Sequence, residues 1–173
     1  MRMQNAEIIK HFALALLFLA CGGTGAMISR GMLMRVRELE RGLQMIAFLR
    51  AQLQFSRPPL PQMLAEVCGQ SQRPAFLPHC LARMGEGIAF PLAWRAAVES
   101  HSPGLREEDR RQLLALGELL GASDAEGQRE ALLVQESLLQ AQLEQARSRR
   151  DTRGRAIFLL GILGGLTLMI LLM

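Results

Sequence analysis

The sequence predicts an all-α fold, a compact bundle of about six helices between an N-terminal and a C-terminal transmembrane helix, and three observations carry that prediction. Phe12 to Ile28 and Ala156 to Met173 contain no charged side chain. Between them, apolar residues recur at intervals of three and four rather than two, and no β-branched run interrupts them. Proline and glycine divide this middle region at the loop lengths usual in helical bundles. With 173 residues, half of them hydrophobic, the chain suffices for one folded domain plus short extras.

The elements follow in chain order. Residues 1–11 form a short tail, and residues 12–28 the first apolar segment. At about 1.5 Å rise per residue, each charge-free segment reaches roughly 26 Å, near the lower limit for crossing a hydrocarbon core. Orientation follows from the arginines, because cations close to a spanning helix are retained in the cytoplasm. Arg30, Arg35, Arg37 and Arg41 follow the first segment, and Arg147, Arg149, Arg150, Arg153 and Arg155 precede the second. The tail offers only Arg2 and Lys10, offset by Glu7. Residues 29–155 are therefore expected in the cytoplasm, with both termini outside and residues 156–173 as the second span.

Charge is distributed in the same sense. The formal total is +4, yet the stretch 42–146 carries nine Arg against twelve Asp or Glu, so the basicity belongs to the membrane junctions. A nucleic-acid binder would place a basic face and aromatic platforms on its folded body; this chain has no Tyr and one tryptophan, Trp94. Anionic lipid headgroups are the simpler counterions. Cys68 and Cys80 in the middle region and Cys21 in the first apolar segment make an odd, unpatterned set, a poor disulfide framework. His11, His79 and His101 are equally scattered. His79 adjoins Cys80, but neighbours on a helix diverge and no zinc-like second pair exists, so it reads as a surface or helix-end histidine. No cofactor or metal is expected, and no nucleophile, base and metal converge as an enzyme requires.

Within the middle region, Val36, Leu39, Leu43, Ile46 and Leu53 form the stripe of a long amphipathic helix, broken by Arg50, which should stop near Phe55 because Pro58, Pro59 and Pro61 follow. A short helix over about Gln62 to Cys68 comes next. Pro74 to Met84 reads as an apolar helix with an irregular first turn around Pro78, ended by Gly85 and Gly87. Pro91 opens a helix carrying Leu92, Trp94 and Val98.

Glu107, Glu108 and Asp109 place negative charge in the first turn of another helix, where the macrodipole favours it. Leu113, Leu114, Leu116, Leu119 and Leu120 are its predicted buried face, and Gly121 its end. Ser123 then fits an N-cap, with Glu126 completing a capping box. A long helix begins there, carries Leu132, Leu133, Leu139 and Leu143, and runs toward the C-terminal apolar segment. Gly22 with Ala26, and Gly161 with Gly165, are small-xxx-small pairs that let membrane helices approach closely, within one chain or between copies.

Several of these pieces together resemble the stage III sporulation protein AB family of endospore-forming bacteria. They are Arg37-Glu38-Leu39-Glu40, Pro58-Pro59-Leu60-Pro61-Gln62, Ala93-Trp94 after Gly85-Glu86-Gly87, and above all Leu116-Gly117-Glu118-Leu119-Leu120-Gly121-Ala122-Ser123-Asp124 followed by Gln128. The resemblance implies a helical domain similar to the cytoplasmic domains of the inner-membrane platform protein of type II secretion and type IV pilus machines. It further implies a place in the channel complex between mother cell and forespore, on the mother-cell side in the outer forespore membrane, with a cytoplasmic ATPase and other channel subunits as partners. No catalytic residues transfer. Gly117, Gly121, Ser123, Asp124 and Gln128 are the family-motif candidates for a structural or partner-contact role, and helix capping alone accounts for Gly121, Ser123 and Asp124. A rival reading also stands: Arg2 and Lys10, then Phe12 to Ala20 and Cys21, resemble the leader of an exported lipoprotein with a lipid-modified cysteine and an extracytoplasmic helical interaction domain.

Overall fold

The computed structural model describes the backbone of residues 2–55, 58–122 and 125–172, and the side-chain surroundings of residues 27, 29–54, 58–120, 130–152, 156, 163 and 167. Six helices make it up, with no strand among the described residues: α1 (Arg2–Phe55), α2 (Leu60–Cys68), α3 (Leu77–Gly85), α4 (Phe90–Ser100), α5 (Glu107–Ala122) and α6 (Ala125–Leu172). The chain divides into two compact units, Met34–Arg147 and a second made of Met1–Leu33 with Ser148–Met173.

In the second unit the backbone of both chain ends is helical. Among the described residues no helix is long and apolar enough to cross a membrane. Most side chains of the two charge-free segments lie outside the described residues, as do the surroundings of Gly22, Ala26, Gly161 and Gly165.

The Met34–Arg147 unit is built from short helices that start alike. In α2, α3 and α4 the first turn carries a proline, Pro61, Pro78 and Pro91, and none has a side-chain cap. A proline in a first turn loses nothing, since its missing N–H would have had no partner there, and its fixed φ is already helical. Pro78 is therefore no irregularity. The segment before it forms a turn, so α3 begins at Leu77 rather than Pro74. Its end is a Schellman motif: Gly87 takes φ +87°, its N–H donates to the Met84 carbonyl at 3.0 Å, and the Ile88 N–H to Arg83 at 3.1 Å. Only Gly87 of the two expected glycines is left-handed.

The long helices supply the core stripes. α1 buries Val36, Leu39, Met45, Ile46, Leu49 and Leu53, while Leu43 is half-buried. α5 buries Leu113, Leu116 and Leu120, and α6 buries Leu132, Leu139, Leu143 and Ala146, a three-four-seven spacing that keeps one helix face inward. α1 and α6 run antiparallel, because Glu40 meets Arg147 at 2.6 Å whereas Arg50, further along α1, lies 3.0 Å from Glu136, earlier on α6. Gly42 admits the close approach: a Cβ there would lie 3.0 Å from Leu139 Cδ2. Two leucines of these helices lie outside the core. Leu133 is 46% exposed and Leu92 63%, since each points away from the stripe that its neighbours Leu132 and Trp94 occupy.

At the centre of the α4–α5 packing stands Trp94, 1% exposed. Its Nε1–H donates to the Leu113 carbonyl at 2.7 Å, and its ring meets Phe76 edge-on at 5.0 Å between centroids, with Phe90 tilted at 5.5 Å. The indole reaches that carbonyl because residue 117, one turn on, is glycine. A Cβ there would fall 2.2 Å from Trp94 Cδ1 and 2.5 Å from Nε1. Gly117→Ala is expected to destabilise the protein by about 1–3 kcal/mol through overpacking. The same alanine should cost markedly less in a Trp94→Phe background, where the smaller ring leaves room. Denaturant midpoints of the four proteins measure both.

Candidate functional site

Two charged residues of α1, three positions apart and so on one face, enter the interior. Arg35 is 5% exposed and Asp109 wholly buried. Arg35 Nε–H donates to Asp109 Oδ2 at 2.7 Å, and Nη2–H to Oδ1 at 2.8 Å. Oδ2 also accepts the Arg106 backbone N–H at 2.9 Å, so the carboxylate at the third position of α5 reaches back to cap that helix. Asp109 is thus both cap and anchor. The hydrogen bond to Asp109 raises the Arg35 pKa, burial opposes it, and the charges of Asp109 and Glu108 reinforce it. The adjoining loop lies flush on α1: Gly104 takes φ +76°, and a Cβ there would stand 2.9 Å from Met34 Cβ and 3.1 Å from the Arg35 nitrogen.

Glu38, 6% exposed, makes the second tether. One oxygen accepts from Arg41 Nη1 at 2.5 Å, and the other accepts the Ala75 backbone N–H at 3.2 Å. Arg35 holds the loop before α5, and Glu38 holds the turn before α3. Each loop carries a buried hydrophobe beside its tether, Leu105 and Phe76 respectively, so polar and apolar contacts fix the same geometry.

The basic residues expected at the membrane junctions therefore divide. Arg35 is consumed by Asp109, Arg41 pairs with Glu38, and Arg147 with Glu40. Arg30 and Arg37 are exposed, Arg149 is half-buried, and Arg150 pairs at 3.1 Å with its neighbour Asp151. The side chains of Arg153 and Arg155 lie outside the described residues. Of the motif candidates, Gly117 belongs to the Trp94 contact. Ser123 and Asp124 lie outside the described residues, as do the surroundings of Gly121 and Gln128 within α5 and α6.

The turns tethered by Glu38 and Arg35 also bring together two histidines that are far apart in sequence. His79, in the first turn of α3, and His101, which follows the last residue of α4, stack with ring centroids 3.5 Å apart and planes 18° from parallel. They line an open cleft of about 400 Å³ with Glu99, Ser102 and Arg110. Nothing in the sequence spacing announces the pair, which exists because α3 packs on α4. Cys80 is buried and free, Cys68 half-buried and free, so the adjacent His79 and Cys80 point apart. Burial pushes the Cys80 thiol up to about 11. Among the described residues no group of three His, Cys, Asp or Glu is arranged to hold a metal ion.

A family model described as stage III sporulation protein AB matches residues 10–173. A solved structure described as "Stage III sporulation protein AB (SpoIIIAB)" superposes with a TM-score of 0.59 at 18% sequence identity, covering 69% of this chain and 98% of the matched one, a likeness of fold. No curated protein matches by sequence.

The two described cysteines should differ sharply in reactivity. At about pH 8 a thiol whose pKa stands near 11 is roughly one part in a thousand thiolate. Cys68 is expected to be alkylated in the native protein, and Cys80 only at the rate of unfolding. Mass-spectrometric mapping of a maleimide time course, with and without denaturant, reads each cysteine separately.

Proposed function

The chain belongs to the stage III sporulation protein AB family, and from that premise we propose that it serves sporulation as a non-enzymatic membrane platform subunit, anchored at both ends, whose helical unit docks other components of the channel complex. The family assignment over residues 10–173 is the observation that carries the reading. The chemistry of the sequence agrees with it. Two charge-free segments flank the helical region, and exposed cations such as Arg30 and Arg37 stand close to the first of them. Insertion with the middle region on the mother-cell side of the outer forespore membrane leaves that region in reach of a cytoplasmic ATPase, the partner the family resemblance implies.

The helical unit suits a docking role for a physical reason. Its buried charges are engaged, Arg35 with Asp109 and Glu38 with the half-buried Arg41 and the Ala75 backbone N–H, which fixes its shape. A partner that pushes or turns against such a unit meets a defined surface, because loops tied by buried, hydrogen-bonded charges do not yield independently.

The topology is tested with Ser71→Cys, an exposed site in the turn between α2 and α3, in a Cys68→Ser background, in vegetative cells made to express the protein and treated with a membrane-impermeant maleimide. The expected result is protection in intact cells and labelling after permeabilisation. Labelling in intact cells would contradict the cytoplasmic placement and ATPase docking with it, and lipid attachment at Cys21 would establish the exported lipoprotein instead. Capture of a cytoplasmic ATPase by the full-length protein is the expected partner result.

A further inference from the structure

The stacked histidines belong to no part of the proposed platform role. Their positions on the two helices make them unequal. His101 follows the carbonyl end of α4, where the helix dipole favours a cation, and Glu99 lies two residues before it. His79 sits in the first turn of α3, at the end that disfavours a cation. Two imidazolium rings 3.5 Å apart repel, whereas one cation over a neutral ring is attractive. A positive charge on His101 is thus met by a favourable helix end and by the face of the His79 ring, whereas one on His79 would stand at the opposing helix end.

Beside them, Arg110 reaches the same cleft from α5. Its guanidinium is half-buried and, among the described residues, forms no ion pair. Glu99 is the one carboxylate lining the cleft, and the Ser102 hydroxyl is spent as a donor to the Val98 carbonyl at 2.5 Å. With His101 neutral the cleft holds one positive and one negative side chain. Once His101 is protonated, it holds two cations carrying hydrogen-bond donors against one carboxylate.

We propose that this cleft is a proton-linked oxyanion site, in which Arg110 and protonated His101 bind a phosphate or carboxylate group and His79 supports the imidazolium by stacking. Arg110 offers the fork that matches such groups, and His101 adds a single charge-assisted donor. The linkage is reciprocal. An anion that prefers the protonated form draws a proton onto His101, and acidification tightens the anion.

The test uses the full-length protein in detergent, with nitrogen-labelled histidine, followed by NMR over roughly pH 5 to 8, where imidazole changes charge. Inorganic phosphate and acetate are the probes, against chloride at equal ionic strength, so that a phosphate source and a carboxylate source are distinguished. Either probe should move the His79 and His101 signals together, with affinity rising toward acid by up to about tenfold per pH unit for one linked proton. Arg110→Gln should weaken binding about tenfold or more. His101→Gln should abolish the pH dependence, and an unchanged far-UV spectrum shows that each variant is folded. Indifference of both signals to phosphate and acetate, an equal response to chloride, or unaltered binding in both variants would overturn the proposal.

Discussion

The bidentate pair between Arg35 and Asp109 is the contact on which the rest of the Met34–Arg147 unit depends. A fully buried carboxylate is tolerable only if its lone pairs are engaged, and here two guanidinium donors and the Arg106 backbone N–H engage them. Because Asp109 also caps α5, the ion pair fixes where that helix starts as well as where it lies. Gly104 and Leu105 then follow α1 closely, and Leu113, Leu116 and Gly117 fall where Trp94 can lie against the α5 backbone. Glu38 repeats the device one turn along α1, setting the turn that carries Phe76 to the same tryptophan. The histidine cleft is a consequence of both tethers, lying between the turn held by Glu38 and the loop held by Arg35.

Much of this was legible before the structure, for reasons that can be named. Pro91 marks the start of α4, because a first-turn proline acts on its own backbone and needs no tertiary partner, whereas Pro61 and Pro78, which hold the same place in α2 and α3, read in the sequence as a break and as an irregularity. The stop at Phe55 and the left-handed Gly87 are local in the same way. Periodicity placed Val36, Leu39, Ile46, Leu116, Leu132 and Leu139 inside correctly. It overstated Leu114 and Leu119, read as part of the buried face of α5 and only half-buried beside it, because composition does not say how wide the covered face is.

The buried charges were not legible at all. Arg35 reads as one more cation in a basic junction, and Asp109 as one of three acids in a first turn. Pairing them requires knowing that residues 74 apart in sequence meet. The same holds for His79 and His101. For the family motif the outcome is divided: Gly117 has a packing reason in the Trp94 indole, whereas Ser123 and Asp124 fall outside the described residues. In the Met34–Arg147 unit the buried charge is spent on holding its own helices and loops in place.

The most direct measurement is a double-mutant cycle on Arg35→Met and Asp109→Leu, read by equilibrium unfolding of the full-length protein in detergent. Each single change leaves one buried charge without its partner and should cost about 3–5 kcal/mol, while removing both should cost far less than the sum. A coupling of about 2 kcal/mol or more is the result expected if this pair anchors α5 and its loop to α1. Additivity within about 0.5 kcal/mol would show that the two residues act independently, and would contradict it.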